Sequence, residues 1–203
     1  AYLGANAVLV ARDDVAVTST STASASATME LGAGSVGISV ASGQGIGLIT
    51  ADTRAYIASG ASVTARNLRV QTVDGDRNKR TTRTVTATMS AGSVGLVGAT
   101  VAGATANITG TVEAYIGPTA RITATGGPTS NGGTISVLGD SASTATATAK
   151  GGAGGLIGIT AFNAIARIGT TAAPASKVAY VDEGALVTTG NLAISAAGTA
   201  AAN

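Results

Sequence analysis

Small apolar residues alternate with hydroxyl residues over much of this chain. The runs Thr22-Ala23-Ser24-Ala25-Ser26-Ala27-Thr28, Thr84-Val85-Thr86-Ala87-Thr88 and Ser143-Thr144-Ala145-Thr146-Ala147-Thr148-Ala149 all have a period of two. That period predicts strands with one dry face and one wet face. Thr and Val favour strand further through their stiff χ1. Helical spacing does not persist anywhere, and the frequent glycines oppose long helices. Turn chemistry follows the second short strand of each segment at Arg12-Asp13-Asp14, Arg66-Asn67 and Gly190-Asn191. Gly and Asn tolerate left-handed backbone, and Asp or Asn side chains bond nearby amides.

The alternation is organised into repeats. All four tyrosines follow an alanine, at Ala1-Tyr2, Ala55-Tyr56, Ala114-Tyr115 and Ala179-Tyr180, at intervals of 54, 59 and 65 residues. An aliphatic residue follows each: Leu3, Ile57, Ile116 and Val181. Ala7, Ala61, Ala120 and Ala185 stand six positions after each leading Ala, and Leu9, Val63, Ile122 and Val187 eight positions after. The chain therefore reads as one continuous array with units 1–54, 55–113, 114–178 and a partial 179–203. A second anchor runs Gly34-Ser35-Val36-Gly37-Ile38, Gly92-Ser93-Val94-Gly95-Leu96 and, more loosely, Gly155-Leu156-Ile157-Gly158-Ile159. Length variation falls mostly before this anchor, around residues 74–83 and 126–133, as loops enlarged on one side of a stack would require.

Short strands, tight turns and a recurring unit predict an all-β fold, a parallel β-solenoid (β-helix) of right hand. At roughly 20–30 residues per coil each unit would hold two or three coils. Leu3, Ile57, Ile116 and Val181 are the expected repeat core. The neighbouring Tyr2, Tyr56, Tyr115 and Tyr180 should then point outward. They would form a sparse aromatic row along one side, a candidate surface contact, separated by two or three rises or roughly 10 to 14 Å.

Composition narrows the picture. Hydrophobic residues are 45% of the chain but aromatics only 2%, so the core must be built from thin layers of Ala and aliphatics. Charged residues are 11%, against about 25% in ordinary domains, and the apolar content is too high for disorder. Cys and His are absent, which excludes disulfides, thiolate nucleophiles, a His base and His-ligated metal. A net charge of +2 without aromatic platforms argues against nucleic acid. The chain opens at Ala1 with neither signal peptide nor anchor, and is expected to be an excerpt of a longer polypeptide.

The phrase from Ala114 to Ile122, followed by Thr/Ala alternation and the run Gly152 to Gly158, resembles the repeats of very large bacterial filamentous adhesins and leukotoxin-like exoproteins. The resemblance covers the whole chain. It implies a secreted or surface-displayed filament, extracellular or on the bacterial cell surface, that contacts host cells, matrix or other bacteria. The expected function is a structural repeat segment, shaft or adhesive surface, with no enzymatic activity, cofactor or metal. Its immediate partners would be neighbouring repeats of the same long chain. The alternative is a subunit of a self-assembling extracellular filament, in which exposed end strands template stacking between copies. A third reading is an ice- or glycan-binding Thr array, against which the Thr tracts shift and mix with Ser.

Sharper candidates weigh less than their plain readings. Gly32-Ala33-Gly34-Ser35-Val36-Gly37 fits G-x-G-x-x-G, but no helix is expected after it, so close packing is preferred to a dinucleotide site. The uncharged runs after Glu30, Met89 and Lys150 are too rich in Gly, Ser and Thr for membrane spans and read as buried strands. Asp74, Asp76, Arg77, Lys79, Arg80 and Arg83 form the one dense charge cluster and read as a solvated loop rather than a glycan or calcium site. Asp13-Asp14 and Asp182-Glu183 sit at turns, where neighbouring carboxylates rarely face one substrate. Asn107-Ile108-Thr109 is a formal glycosylation sequon, accidental in a bacterial protein.

Overall fold

The computed structural model describes residues 1–72, 80–128 and 131–203, which are all-β, with no helix among them. The first circuit of the chain comprises β1 (Tyr2–Leu3), β2 (Val8–Val10), β3 (Val15–Thr18), β4 (Thr22–Gly34) and β5 (Ile38–Thr50). The second comprises β6 (Thr53–Ile57), β7 (Ser62–Ala65), β8 (Leu68–Gln71), β9 (Thr81–Val94) and β10 (Val97–Ile116), which runs on into the third. There follow β11 (Arg121–Ala124), β12 (Thr134–Gly154), β13 (Ile157–Ile168), β14 (Ala175–Val181), β15 (Leu186–Thr188) and β16 (Asn191–Ala202). Every strand pairing is parallel and joins equivalent strands of successive circuits, in sheets of six, four and six strands.

Each repeat makes one circuit, where two or three coils were expected. Tyr2 is the direct Cα partner of Tyr56, Tyr56 of Tyr115, and Tyr115 of Tyr180. The expectation assumed short strands. The alternating runs are instead single strands of 13 to 21 residues, so one circuit consumes the whole unit. The second anchor also shifts. Gly34 stacks on Val94 and Gly154, while Gly92 stacks on Gly32 and Gly152, so the similar phrases are offset rather than superposed. The inward faces of the long strands set the register, and the turn residues follow.

Insertions absorb the differences in unit length. Residues 72–80 separate Gln71 from Thr81, whose partners Leu138 and Ser141 are only three apart. Residues 125–134 separate Ala124 from Ile135, whose partners Ala65 and Leu68 are only three apart. A third insertion, 169–174, lies after the anchor, between Ile168 and Ala175, where Thr109 alone separates their partners Ile108 and Gly110.

Two cores fill the cross-section. At one end β1, β2, β3 and their counterparts enclose large aliphatics: Leu3, Ile57, Ile116 and Val181 stack with Leu9, Val63, Ile122 and Val187, and with Val15, Leu68 and Ile135. Ile57 and Ile116 are fully buried, while Leu3 and Val181, on the end circuits, are half-buried. At the other end β4, β9 and β12 pack against β5, β10 and β13 in a thin arm lined by Ala, Gly and a few larger residues. Facing positions compensate in size. The stack Gly43–Ala102–Phe162 grows as the facing stack Met29–Met89–Ala149 shrinks, and Met29 and Met89 occupy the space a side chain at Gly43 would take. This is the interdigitation that close packing demands.

One turn position repeats a backbone constraint. The fifth residue after each leading Ala has positive φ: Asn6 at 56°, Gly60 at 71°, Thr119 at 58° and Gly184 at 74°. The left-handed conformation costs a residue with a Cβ roughly 1–2 kcal/mol. A Cβ at Gly60 would also meet the Asn6 side-chain oxygen. Gly60→Ala is therefore expected to lower stability by about 1–2 kcal/mol, whereas Thr119→Gly, relieving a β-branched residue, should be neutral or raise the melting temperature. Chemical and thermal denaturation of both variants check that only Gly60→Ala is destabilised.

Candidate functional site

The tyrosines lie on one side of the molecule, one strand position from the core aliphatics and facing away from them. Their rings form a continuous ladder. Centroids are 5.2 Å apart for Tyr2–Tyr56, 4.9 Å for Tyr56–Tyr115 and 5.0 Å for Tyr115–Tyr180, with interplanar angles of 10°, 2° and 4°. The row expected to be sparse is contiguous because each repeat spans a single rise. Tyr2 at the end is 67% exposed, and the other three are half-buried by their neighbours. Aromatic pairs of this kind contribute about 0.5–1.5 kcal/mol each beyond area burial. The ladder thus ties successive circuits together, and it offers solvent mainly ring edges and hydroxyls.

Beside it runs a row of charges. Arg54 Nε contacts Glu113 at 2.9 Å, and its Nη2 lies 3.8 Å from Asp52. Asp52 accepts hydrogen bonds from the Thr111 amide at 2.8 Å and hydroxyl at 3.0 Å, which hold its carboxyl below the usual range. Asp13 receives Arg66 at 2.6 Å, and Asp14 receives Asn67 at 2.8 Å. Asn67 in turn accepts from the Thr134 amide at 2.8 Å. These acids at the turns tie circuit to circuit. Asp182 accepts the amide of Glu183 at 2.8 Å.

The long strands create a feature that sequence reading judged irregular. On the outer face of β4, β9 and β12, register aligns Ser24–Thr84–Thr144, Ser26–Thr86–Thr146 and Thr28–Thr88–Thr148. Hydroxyls therefore form a grid, spaced about 4.8 Å between strands and about 6.7 Å along them. Glu30, Ser90 and Lys150 border it. The tracts looked shifted because the loops that restore their alignment differ in length. The outer face of β5, β10 and β13 is apolar near the same tip, with ladders Ile38–Val97–Ile157 and Val40–Ala99–Ile159, and Val36 beyond them is 93% exposed.

Other candidates resolve simply. The Gly32–Gly37 motif joins strand β4 to strand β5, without the helix a dinucleotide site needs. Asp74, Asp76, Arg77 and Lys79 lie outside the described residues; Arg80 starts the strand pairing and Arg83 is an inward residue of β9. Among the described residues no group of three His, Cys, Asp or Glu could hold a metal ion, and no helix is long and apolar enough to cross a membrane. The uncharged runs form the tip turns and most of the length of β5, β10 and β13, with alternate residues of β5 and β10 and most of β13 facing solvent rather than buried as expected. No family model, curated protein or solved structure matches this chain.

Burial raises the Tyr115 phenol above its usual value, with further contributions from Tyr180, Tyr56 and Glu113; burial and then Glu113 and Asp182 raise Tyr180. A raised folded value means that the neutral phenol is favoured in the stack. The resulting stability is fully present below the ordinary value of about 10 and lost as pH rises through the raised values. Phenolate absorbance should therefore show a late-titrating component coincident with alkaline loss of stability. In Tyr115→Phe that alkaline loss should shrink.

Proposed function

We propose that this chain is a segment of a parallel β-solenoid acting as shaft or adhesive surface of a secreted or cell-surface bacterial adhesin. The observation that carries the reading is the residue-for-residue parallel register between successive circuits. Such an array grows by adding units without redesigning the core, because each unit contacts chiefly its neighbours. Ala-lined packing suits a thin, long shaft. The sequence's resemblance to filamentous adhesin repeats supplies the surface context. The grid of Ser24, Thr84, Thr144 and their neighbours supports the adhesive part of the reading, since it presents many identical hydroxyl groups to one partner.

The test is surface display of the chain on a non-adherent bacterium, with attachment to host cells and matrix measured. Attachment that falls at least tenfold in Thr86→Glu/Thr146→Glu, with display level and circular dichroism unchanged, supports an adhesive face. Full attachment by that variant places the adhesive contact elsewhere on the chain, and no attachment by the unmutated chain assigns the segment to the shaft alone. The purified chain is also followed by sedimentation and electron microscopy with rising concentration. Discrete particles are expected. Ordered fibres growing with concentration would overturn the shaft reading in favour of a self-assembling filament.

A further inference from the structure

Where the aliphatic core meets the arm, the stacking register leaves a cavity of about 270 Å³ beside a buried cation. The inward stack in the long sheet reads Ala23, Arg83, Ser143, Ala200. Two small residues thus follow the arginine, and the volume that a third long side chain would fill is left open. Across from it the stack Thr53–Val112–Lys177 brings a second cation to the cavity wall. Ser141 and Ser143, both buried, and Ser176 add hydroxyls to the lining.

Arg83 is only 3% exposed. Its Nη1 donates to the Gly110 carbonyl at 3.1 Å and its Nη2 to the Thr111 carbonyl at 2.9 Å, fixing the guanidinium against the bend of β10. Its Nε–H is buried without a partner. Lys177 donates once, to the Thr199 carbonyl at 3.2 Å, leaving two ammonium protons. No carboxylate among the described residues lies within ion-pair distance of either cation. Asp52 acts on Arg83 from beyond Thr111, and Asp140 acts on Lys177 while Arg80 opposes it. Burial and the nearby Arg83 charge both disfavour the charged form of Lys177. A buried donor without an acceptor is costly, and so is a half-buried second cation facing the buried one across the same space.

We propose that this cavity is a binding site for a small oxyanion, of sulfate or phosphate type, held by Arg83 Nε, Lys177 Nζ and the serine hydroxyls. Such an anion satisfies the unmatched guanidinium donor, neutralises the pair and accepts from several donors at once, as charge-assisted bonds favour. The occupant would pin the circuits carrying Arg83, Ser143 and Lys177 to one another without any covalent link.

The probe is inorganic sulfate, titrated into the purified chain against chloride at equal ionic strength, with calorimetry and thermal unfolding as readouts. Expected is a saturable heat and a stability gain that grows as the logarithm of sulfate concentration above the dissociation constant. Lys177→Gln should weaken binding at least tenfold. Ser143→Val, which removes one of the proposed donors and turns an apolar branch into the cavity while leaving both cations in place, should also weaken the heat at least tenfold while keeping the fold, so the test survives if the lysine variant unfolds. A rise linear in sulfate and equal in wild type and variants is the general salting effect of this anion and overturns the proposal. So does equal behaviour in sulfate and chloride.

Discussion

Everything in this molecule depends on parallel, in-register stacking of one circuit upon the next. Backbone hydrogen bonds run between equivalent strands, so each residue stands directly above its counterpart about 4.8 Å away. Side chains are then selected by what tolerates its own neighbour. Tyrosines stack as rings. Threonines bond hydroxyl to hydroxyl, as Thr50 does with Thr109 at 3.0 Å. Aspartates at corners meet Arg66 or Asn67 in the next circuit rather than another acid. Like charges in such a column would repel, which accounts for the low charge of the chain.

The two cores express the same constraint at different widths. Where the circuit is broad, Ile57, Ile116, Ile122 and Leu68 fill it. Where two long sheets close on each other, only Ala and Gly fit opposite Met29 and Met89, and larger residues enter in exchange for smaller ones across the gap. The left-handed turn at Asn6, Gly60, Thr119 and Gly184 closes the broad end in every circuit. Its recurrence keeps the chain entering β2, β7, β11 and β15 at the same angle, and so preserves the register that both cores need.

The junction between the cores is the place where polar chemistry enters the interior. Gly110, with φ of 100°, lets β10 turn from arm to broad end, and Arg83 holds the carbonyls exposed by that turn. Asp52 secures the neighbouring circuit through Thr111. The outer surfaces divide the remaining roles: a hydroxyl grid on one side of the arm, apolar ladders on the other, and an aromatic ladder along the broad end. Each exists as a surface only because several circuits contribute one residue apiece.

The sequence by itself determined the all-β character, the repeat and the direction of its side chains. Period-two alternation fixes which face of a strand is buried, and the Ala-Tyr-aliphatic phrase placed Leu3, Ile57, Ile116 and Val181 on the core side without reference to any partner strand. What only the tertiary structure decided was how far the chain travels before it returns. Strand length depends on packing against the facing sheet, and no local signal tells a 13-residue strand from two short ones. The number of circuits per repeat, the closeness of the tyrosines and the alignment of Ser24, Thr84 and Thr144 all follow from that one quantity. The Arg83 cavity was equally hidden, because it arises from residues 83, 143, 177 and 200, whose separations acquire meaning only once insertions of different lengths have been taken up at the corners.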